Sequence, residues 1–136
     1  MNKLKNESTV TTLAYPTTST GKSASATFVD MSKYANAIVT TNIHKLPDAK
    51  GEGVATITVY EHTQSTWAGV ATAVTAGVVT ATVNSVSDVM PQIELRATDL
   101  SVNNSKRYIN TYITLPTGAQ IAQTVTRYAP RFESQV

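Results

Sequence analysis

Cysteine is absent from this 136-residue sequence, so neither a disulfide framework nor a thiolate metal site can form. Charged residues are also scarce, at 15% of the chain, and the net charge is only +2. So small a charge argues against nucleic acid or an anionic membrane as a partner. No apolar run approaches the roughly 20 residues that a membrane helix needs, and no apolar run follows the N-terminal lysines as in a signal peptide. We therefore expect a soluble chain folded as one domain.

A phosphate-binding loop is also missing, although "STGKSAS" at 19–25 contains the Gly-Lys-Ser triplet that closes such loops. The loop needs a second glycine five residues before Gly21, where this chain has Pro16. It should also open a helix whose N-terminus faces the phosphate. The following residues, "ASATFVDM", instead have the pattern of a strand. We therefore expect no nucleotide at this segment.

Catalytic and metal-binding patterns are equally sparse. His44 and His62 each follow a predicted strand and would lie near one another if those strands pair, but no third ligand stands at a diagnostic spacing. The aspartates are isolated, and no Gly-x-Ser-x-Gly elbow is present. We expect no enzyme activity, no cofactor and no metal. The single Trp67 either packs on the rim of the domain or stacks on a sugar.

Threonine supplies much of the polarity, and its β-branched side chain favours strands over helices. From Ala26 onward apolar and polar residues alternate with a period of two, which is typical of strands that bury one face. The segment 68–83, interrupted by Gly69 and Gly77, predicts two short strands around Gly77. No internal repeat is evident beyond this hairpin rhythm. The other predicted strands are "YANAIVTTNI", "GVATITVYEH", "QIELRATDL", "RYINTYITL" and "QIAQTVTRYA".

This pattern predicts an all-β fold, an antiparallel β-sandwich of jelly-roll or immunoglobulin-like topology. Residues 26–136 form its single domain. Residues 1–25 are polar with scattered apolar side chains, which indicates an extended N-terminal arm, although an edge strand or a frayed tail also fits. The C-terminal mixture of arginine and aromatic residues suits a protein interface. The candidate interface residues are Leu4, Val10, Leu13, Tyr15, Arg127, Tyr128, Arg131 and Phe132.

The segment "SKRYINTYITLPTGAQIAQTVTRYAPRFES" resembles the C-terminal part of small virion proteins encoded among the head genes of tailed bacteriophages. Two earlier pieces, "VDMSKYANAIVTTNI" and "ATITVYEHTQSTWAGV", are similar as well, so the resemblance spans most of residues 29–131. The loop "HKLPDAKGEG" departs from it by being longer and more polar. The resemblance implies a head decoration, or minor capsid, protein on the virion surface. Its partners would be the major capsid protein and sister subunits, with a homotrimer favoured by capsid symmetry.

Two other functions fit the same residues. A neck or tail ring component would be a virion protein too, but such proteins usually carry a helix on the sheet, and no convincing helix is predicted here. A carbohydrate-binding β-sandwich would present an aromatic platform built from Trp67, Tyr60 or Tyr112. Aromatic residues make up only 7% of the chain, which disfavours such a platform.

Overall fold

Nine strands make up almost all of the regular structure in a computed structural model of the chain. The model describes residues 8–13, 22–25, 27–47, 51–65, 72–100, 107–116 and 118–130. Within these ranges no helix is long and apolar enough to cross a membrane. The strands are β1 (Ser8–Leu13), β2 (Lys22–Ala24), β3 (Val29–Asp30), β4 (Tyr34–Ile43), β5 (Gly53–His62), β6 (Thr72–Val83), β7 (Gln92–Arg96), β8 (Tyr108–Thr114) and β9 (Ile121–Pro130).

The strands form two antiparallel sheets, which confirms the predicted β-sandwich. Sheet A has the order β1-β9-β4-β7, and sheet B has the order β2-β8-β5-β6, with β3 also pairing with β8. If β2 and β3 are counted as one interrupted strand, the eight strands have the order of a jelly roll, and the chain changes sheet at every connection except that between β5 and β6. An immunoglobulin fold would instead place its first two strands side by side in one sheet. The strand order therefore selects the jelly roll.

The core lies between the sheets, where alternate residues of each strand point inward. On β4 the buried positions include Ala37, Val39 and Ile43, and on β5 they include Ala55 and Ile57. Both strands have the bounds predicted from their alternation, because each buries one apolar face over ten residues.

The prediction of two short strands around Gly77 is wrong, because β6 runs unbroken from Thr72 to Val83. The pairing of β5 with β6 shifts register between Thr58 and Tyr60, whose partners are Val78 and Ala73, so an irregular stretch of the ladder, which we call the bulge, stands where the break was expected. A Cβ at Gly77 would lie 2.8 Å from Val59 Cβ. This glycine therefore permits a close approach within the sheet rather than ending a strand.

Two other predicted strands differ from the observed ones. The strand expected over "QIELRATDL" ends at Arg96, and a 3-10 helix follows at Ala97–Asp99. The carboxylate of Asp99 accepts a hydrogen bond of 2.7 Å from the Arg96 N–H, which favours this turn. The strand expected over "ASATFVDM" is split between the end of β2 and β3.

Parts of the N-terminal segment belong to the sandwich. Strand β1 pairs with β9 at the edge of sheet A, and β2 pairs with β8 at the edge of sheet B. Residues 8–13 therefore form an edge strand, one of the alternatives left open by the sequence. Residues 1–7 and 14–21 lie outside the described ranges.

The turn between β8 and β9 has the chemistry expected of "PTGA". The Ala119 N–H donates to the Pro116 carbonyl over 3.1 Å, and Gly118 adopts a φ of 89°. A glycine at the third position of a turn supplies this left-handed conformation without steric cost. The turn carries the chain from sheet B to sheet A.

Candidate interaction surfaces

Strands β5, β6 and β8 form an uncharged plane on the outer surface of sheet B, which we call the threonine face, and Lys22 of β2 pairs with Thr114 at its edge. Thr114, Thr56 and Thr80 face one another across β8, β5 and β6, and Tyr112, Thr58 and Val78 form the next row. Val54 and Val78 are 60% and 51% exposed. None of the residues that define this face is charged. They are Val54, Thr56, Thr58, Tyr60, Val78, Thr80, Thr82, Tyr112 and Thr114.

Two tyrosines expected of a sugar platform meet on this face. The rings of Tyr60 and Tyr112 lie edge to face, with centroids 6.1 Å apart and an interplanar angle of 81°. Both side chains are half-buried. A flat platform needs ring faces turned outward together, whereas here the two rings are nearly perpendicular. Trp67, the third expected member, lies outside the described residues.

The outer surface of sheet A carries more polar and charged groups. Val10, Thr126, Ile38 and Glu94 form one row across its four strands, and Val10 is 63% exposed. The Tyr128 hydroxyl donates to Glu94 Oε1 over 2.8 Å. This hydrogen bond raises the pKa of Tyr128 above its ordinary value. The charged side chains that the described strands place on this surface, Glu94 and Arg96, both lie on β7.

Arg127 points between the sheets, although its neighbour Tyr128 points outward. Its guanidinium lies 4.8 Å from the centre of the Tyr34 ring and donates to the Asp30 carbonyl over 2.8 Å. The Tyr34 hydroxyl shares a 2.7 Å hydrogen bond with Thr9 Oγ1. Arg127 thus links β9 to β3 and β4 inside the molecule. Its positive charge is engaged by the Tyr34 ring and the Asp30 carbonyl.

The Asp30 side chain completes this end of the sandwich. Its carboxylate accepts a 2.8 Å hydrogen bond from the Ser32 N–H and lies 3.3 Å from Arg107 Nη2. Burial raises the pKa of Asp30, but the hydrogen bonds from Ser32 and the charges of Arg107 and Arg127 outweigh it and hold the pKa below its ordinary value. Asp30 is therefore a structural carboxylate.

The candidate interface residues are distributed over different parts of the chain. Val10, Arg127 and Tyr128 occupy the positions given above, and Leu13 ends β1 opposite Gln123. Leu4, Tyr15, Arg131 and Phe132 lie outside the described residues. Their role in an interface remains a prediction.

A chain of buried polar side chains, which we call the polar bridge, links the two sheets. Gln123 Nε2 donates to Thr41 Oγ1 over 2.7 Å, and the Thr111 hydroxyl donates to Gln123 Oε1 over 2.5 Å. The Thr111 N–H donates in turn to Ser25 Oγ over 3.2 Å. Thr41, Thr111 and Gln123 are each at most 1% exposed. Sequence analysis missed the bridge, although all three residues stand at inward-facing positions.

The two histidines lie in different parts of the fold and make different contacts. Strands β4 and β5 belong to different sheets, so the pairing that would bring His44 and His62 together does not occur. His44 Nδ1 lies 3.0 Å from Asp88 Oδ1 at the surface. His62 is buried, and its Nε2 makes a 2.7 Å hydrogen bond with Asn110 Oδ1. The described residues hold no group of three acidic or histidine side chains suited to a metal ion.

The Gly-Lys-Ser segment does not open a helix. Lys22 and Ser23 instead lie in β2, antiparallel to β8. The backbone N–H groups of such a strand do not curl around an anion as a phosphate loop requires. Its residues from Lys22 onward form the edge strand β2 of sheet B.

No protein-family model matches the chain, and no curated protein is similar to it in sequence. Among solved structures, the chain is similar to a carbohydrate-binding module, described as CBM4, at 8% identity and a TM-score of 0.46, covering 91% of this chain and 71% of that one. It is also similar to a protein of infectious bursal disease virus, strain Gt, at 12% identity and a TM-score of 0.47. That match covers 90% of this chain but only 34% of the viral one.

A third similar structure is that of the Desmodium yellow mottle tymovirus, at 14% identity and a TM-score of 0.42, covering 95% of this chain and 90% of that one. Similarities at this level identify no family. The assignment of the jelly roll rests on the strand order of the chain itself.

Proposed function

We propose that this chain is a structural virion protein of a tailed bacteriophage, bound to the major capsid protein as a head decoration, or minor capsid, protein. The observation that carries the proposal is a jelly roll whose threonine face is broad and uncharged. Jelly rolls occur in capsid and sugar-binding domains, so the fold suits this role but does not by itself choose it. The sequence resemblance over residues 29–131 favours the virion.

The three strands of the threonine face, about 4.8 Å apart and about six residues long, span roughly 300 Å². A stable interface buries about 800 Å² on each partner, so the threonine face supplies only part of one. We propose that a second contact, on the side of sheet A and made by residues near both chain termini, supplies the rest. The exposed Val10 on the edge strand β1 marks where this second contact begins. Leu4, Leu13, Tyr15, Arg131 and Phe132 belong to the same proposed contact, made with the shell or with sister subunits of a trimer.

Binding to particles that lack the chain tests the proposal directly. The purified protein is mixed with such particles and pelleted through a cushion, and the bound fraction is measured against concentration. We expect saturable binding, weakened at least tenfold by Val10→Lys. Val86→Lys is the matched control, because Val86 is an 81% exposed valine on the β6–β7 loop. An absence of binding by the unaltered protein contradicts the proposal.

Sugar binding is the second candidate, favoured by the contact of Tyr60 with Tyr112. If this were the function, the unaltered protein would bind on a glycan array and Tyr112→Ala would abolish that binding. Tyr128→Ala, on the opposite sheet, would leave it intact. For a decoration protein we expect no glycan signal from any of the three proteins. A signal lost only with Tyr112→Ala would replace the capsid proposal with a carbohydrate-binding one.

A further inference from the structure

Strand β6 is an unusually unprotected edge of the sandwich. It is 12 residues long, contains neither a charged residue nor proline, and pairs on one side with β5. No described strand pairs with its other side. Long, uncharged edges are templates for another chain, and monomeric proteins normally guard them with charge, proline, a bulge or short length. The bulge in β6 lies before Val78, so residues 78–83 remain a regular and unguarded edge.

Two of the other three edges of the two sheets carry such protection. Strand β7 has five residues, including Glu94 and Arg96, and follows Pro91. Strands β2 and β3 are three and two residues long. Strand β1, the third, also lacks charge and proline, but it has six residues, half the length of β6. Only β6 combines length with an absence of charge, which indicates that its free side is covered in the assembled protein.

The pairing of β5 with β6 shows what can cover it. Residues 53–59 read GVATITV and residues 77–83 read GVVTATV, identical at five of seven positions. The expectation that the chain holds no internal repeat is therefore wrong at this short scale. The two segments pair antiparallel about Thr56 and Thr80, with Val54 opposite Thr82 and Thr58 opposite Val78. The molecule thus already contains this sequence motif paired with a near-copy of itself in a locally two-fold arrangement.

We propose that the free side of β6 pairs with β6 of a second copy of this chain, antiparallel and centred on Thr80. Val78 of each copy would then lie opposite Thr82 of the other, repeating the valine–threonine pairs made with β5. No charge meets a like charge in this register, and threonine and valine make favourable cross-strand pairs. The contact joins the two B sheets into one continuous sheet. It also closes on itself, because both copies contribute the same edge.

This inference does not depend on the capsid proposal. A two-fold contact makes a dimer and cannot by itself close a trimer, so it also differs from the three-fold assembly expected from capsid symmetry. If both contacts exist, β6 links one trimer to the next. Capsid binding and β6 pairing are measured by separate experiments and can fail separately.

The absence of cysteine from the chain makes a crosslinking test clean. At a two-fold axis beside Thr80, the two Cα atoms would be about 4.5–5.5 Å apart, within the range of about 4.4–6.8 Å that a disulfide spans. Thr80→Cys should therefore give a disulfide-linked dimer under mild oxidation. Thr82→Cys is the matched control on the same exposed face, since its two copies would lie about 14 Å apart along the strand.

Sedimentation velocity of the unaltered protein provides the second readout. We expect a dimer that Thr80→Lys dissociates, because two lysines would meet at the axis, while Thr12→Lys on the other sheet leaves it intact. Thermal melting verifies that each variant is folded. Equal crosslinking of Thr80→Cys and Thr82→Cys, or no crosslinking of either, overturns the inference. A monomer or a trimer in which Thr80→Cys forms no disulfide overturns it as well.

Discussion

At the scale of single residues, inward-facing polar side chains determine how the two sheets are held. Alternation in the sequence places Thr41 and Thr111 among apolar neighbours, and the structure confirms that both are buried. The pattern could not show that Gln123 lies between them, because it reveals neither that Thr41 is the cross-strand partner of Gln123 nor that Thr111 faces it from the other sheet. Likewise, adjacent positions in "TRYAP" suggested one interface, but a strand turns Arg127 inward and Tyr128 outward.

Gln123→Ala tests the polar bridge. The substitution removes both hydrogen bonds and leaves the hydroxyls of Thr41 and Thr111 beside a cavity. We expect the free energy of unfolding to fall by about 2–4 kcal/mol, measured by urea denaturation. Thr124→Ala, the next residue on β9 and pointing outward, should change it by less than about 1 kcal/mol. Equal effects of the two variants would show that the bridge adds nothing.

Asp30 gives the protein a pH-dependent contribution to stability. Because its folded pKa is lowered, the ionised form stabilises the fold above the unfolded pKa of about 3.9, and this is lost as the pH falls through the folded value. Asp30→Asn should therefore lower the melting temperature at pH 7, at a cost within about 1 kcal/mol because the group is partly exposed. The difference from the unaltered protein should shrink below pH 4. A difference that is constant from pH 7 to pH 3 would assign the effect to packing instead.

At the scale of the strands, the period of two predicted β4 and β5 to the residue because each has a single apolar face. Strand β6 was split in the prediction because glycine usually weakens a strand. Here the glycine instead leaves room for Val59 on the neighbouring strand, a contact that the local pattern does not reveal. Short strands such as β2 and β3 carry too few residues for a period to be recognised.

Gly77→Ala tests the close approach of β5 and β6. The new Cβ would lie 2.8 Å from Val59 Cβ and 3.2 Å from Val74 Cβ, so the strands must move apart. We expect a loss of about 1–3 kcal/mol in the free energy of unfolding. Ala76→Gly serves as the control, since it alters an exposed neighbour without adding atoms. An unchanged or higher stability of Gly77→Ala would show that the bulge is not tightly packed.

At the scale of the whole molecule, the jelly roll follows from strand order, which composition could not supply. The sequence predicted two antiparallel sheets, but the choice between jelly roll and immunoglobulin topology depends on which distant strands are neighbours. The pairing of β1 with β9 and of β2 with β8 decides it, and these contacts join the two ends of the chain. The interaction surfaces likewise arise only once strands lie side by side.

Two truncations separate the proposed N-terminal contact from the fold. A chain starting at Ser8 keeps β1 and β2, so it should melt at the same temperature as the full chain but bind capsids more weakly. A chain starting at Ala26 loses an edge strand from each sheet and should melt at a clearly lower temperature. If the chain starting at Ser8 binds capsids as the full chain does, residues 1–7 make no contact with the shell.

The central claim is that this jelly roll is part of a virion, and quantitative mass spectrometry of purified particles tests it most directly. The particles are those of the phage proposed to encode the chain, separated from free protein on a density gradient. We expect the chain to co-purify with the heads at a fixed ratio to the major capsid protein. Each particle should hold tens to hundreds of copies of the chain. Its presence in only about six or twelve copies would place it in the neck or tail ring. Its absence from the particles would contradict the claim.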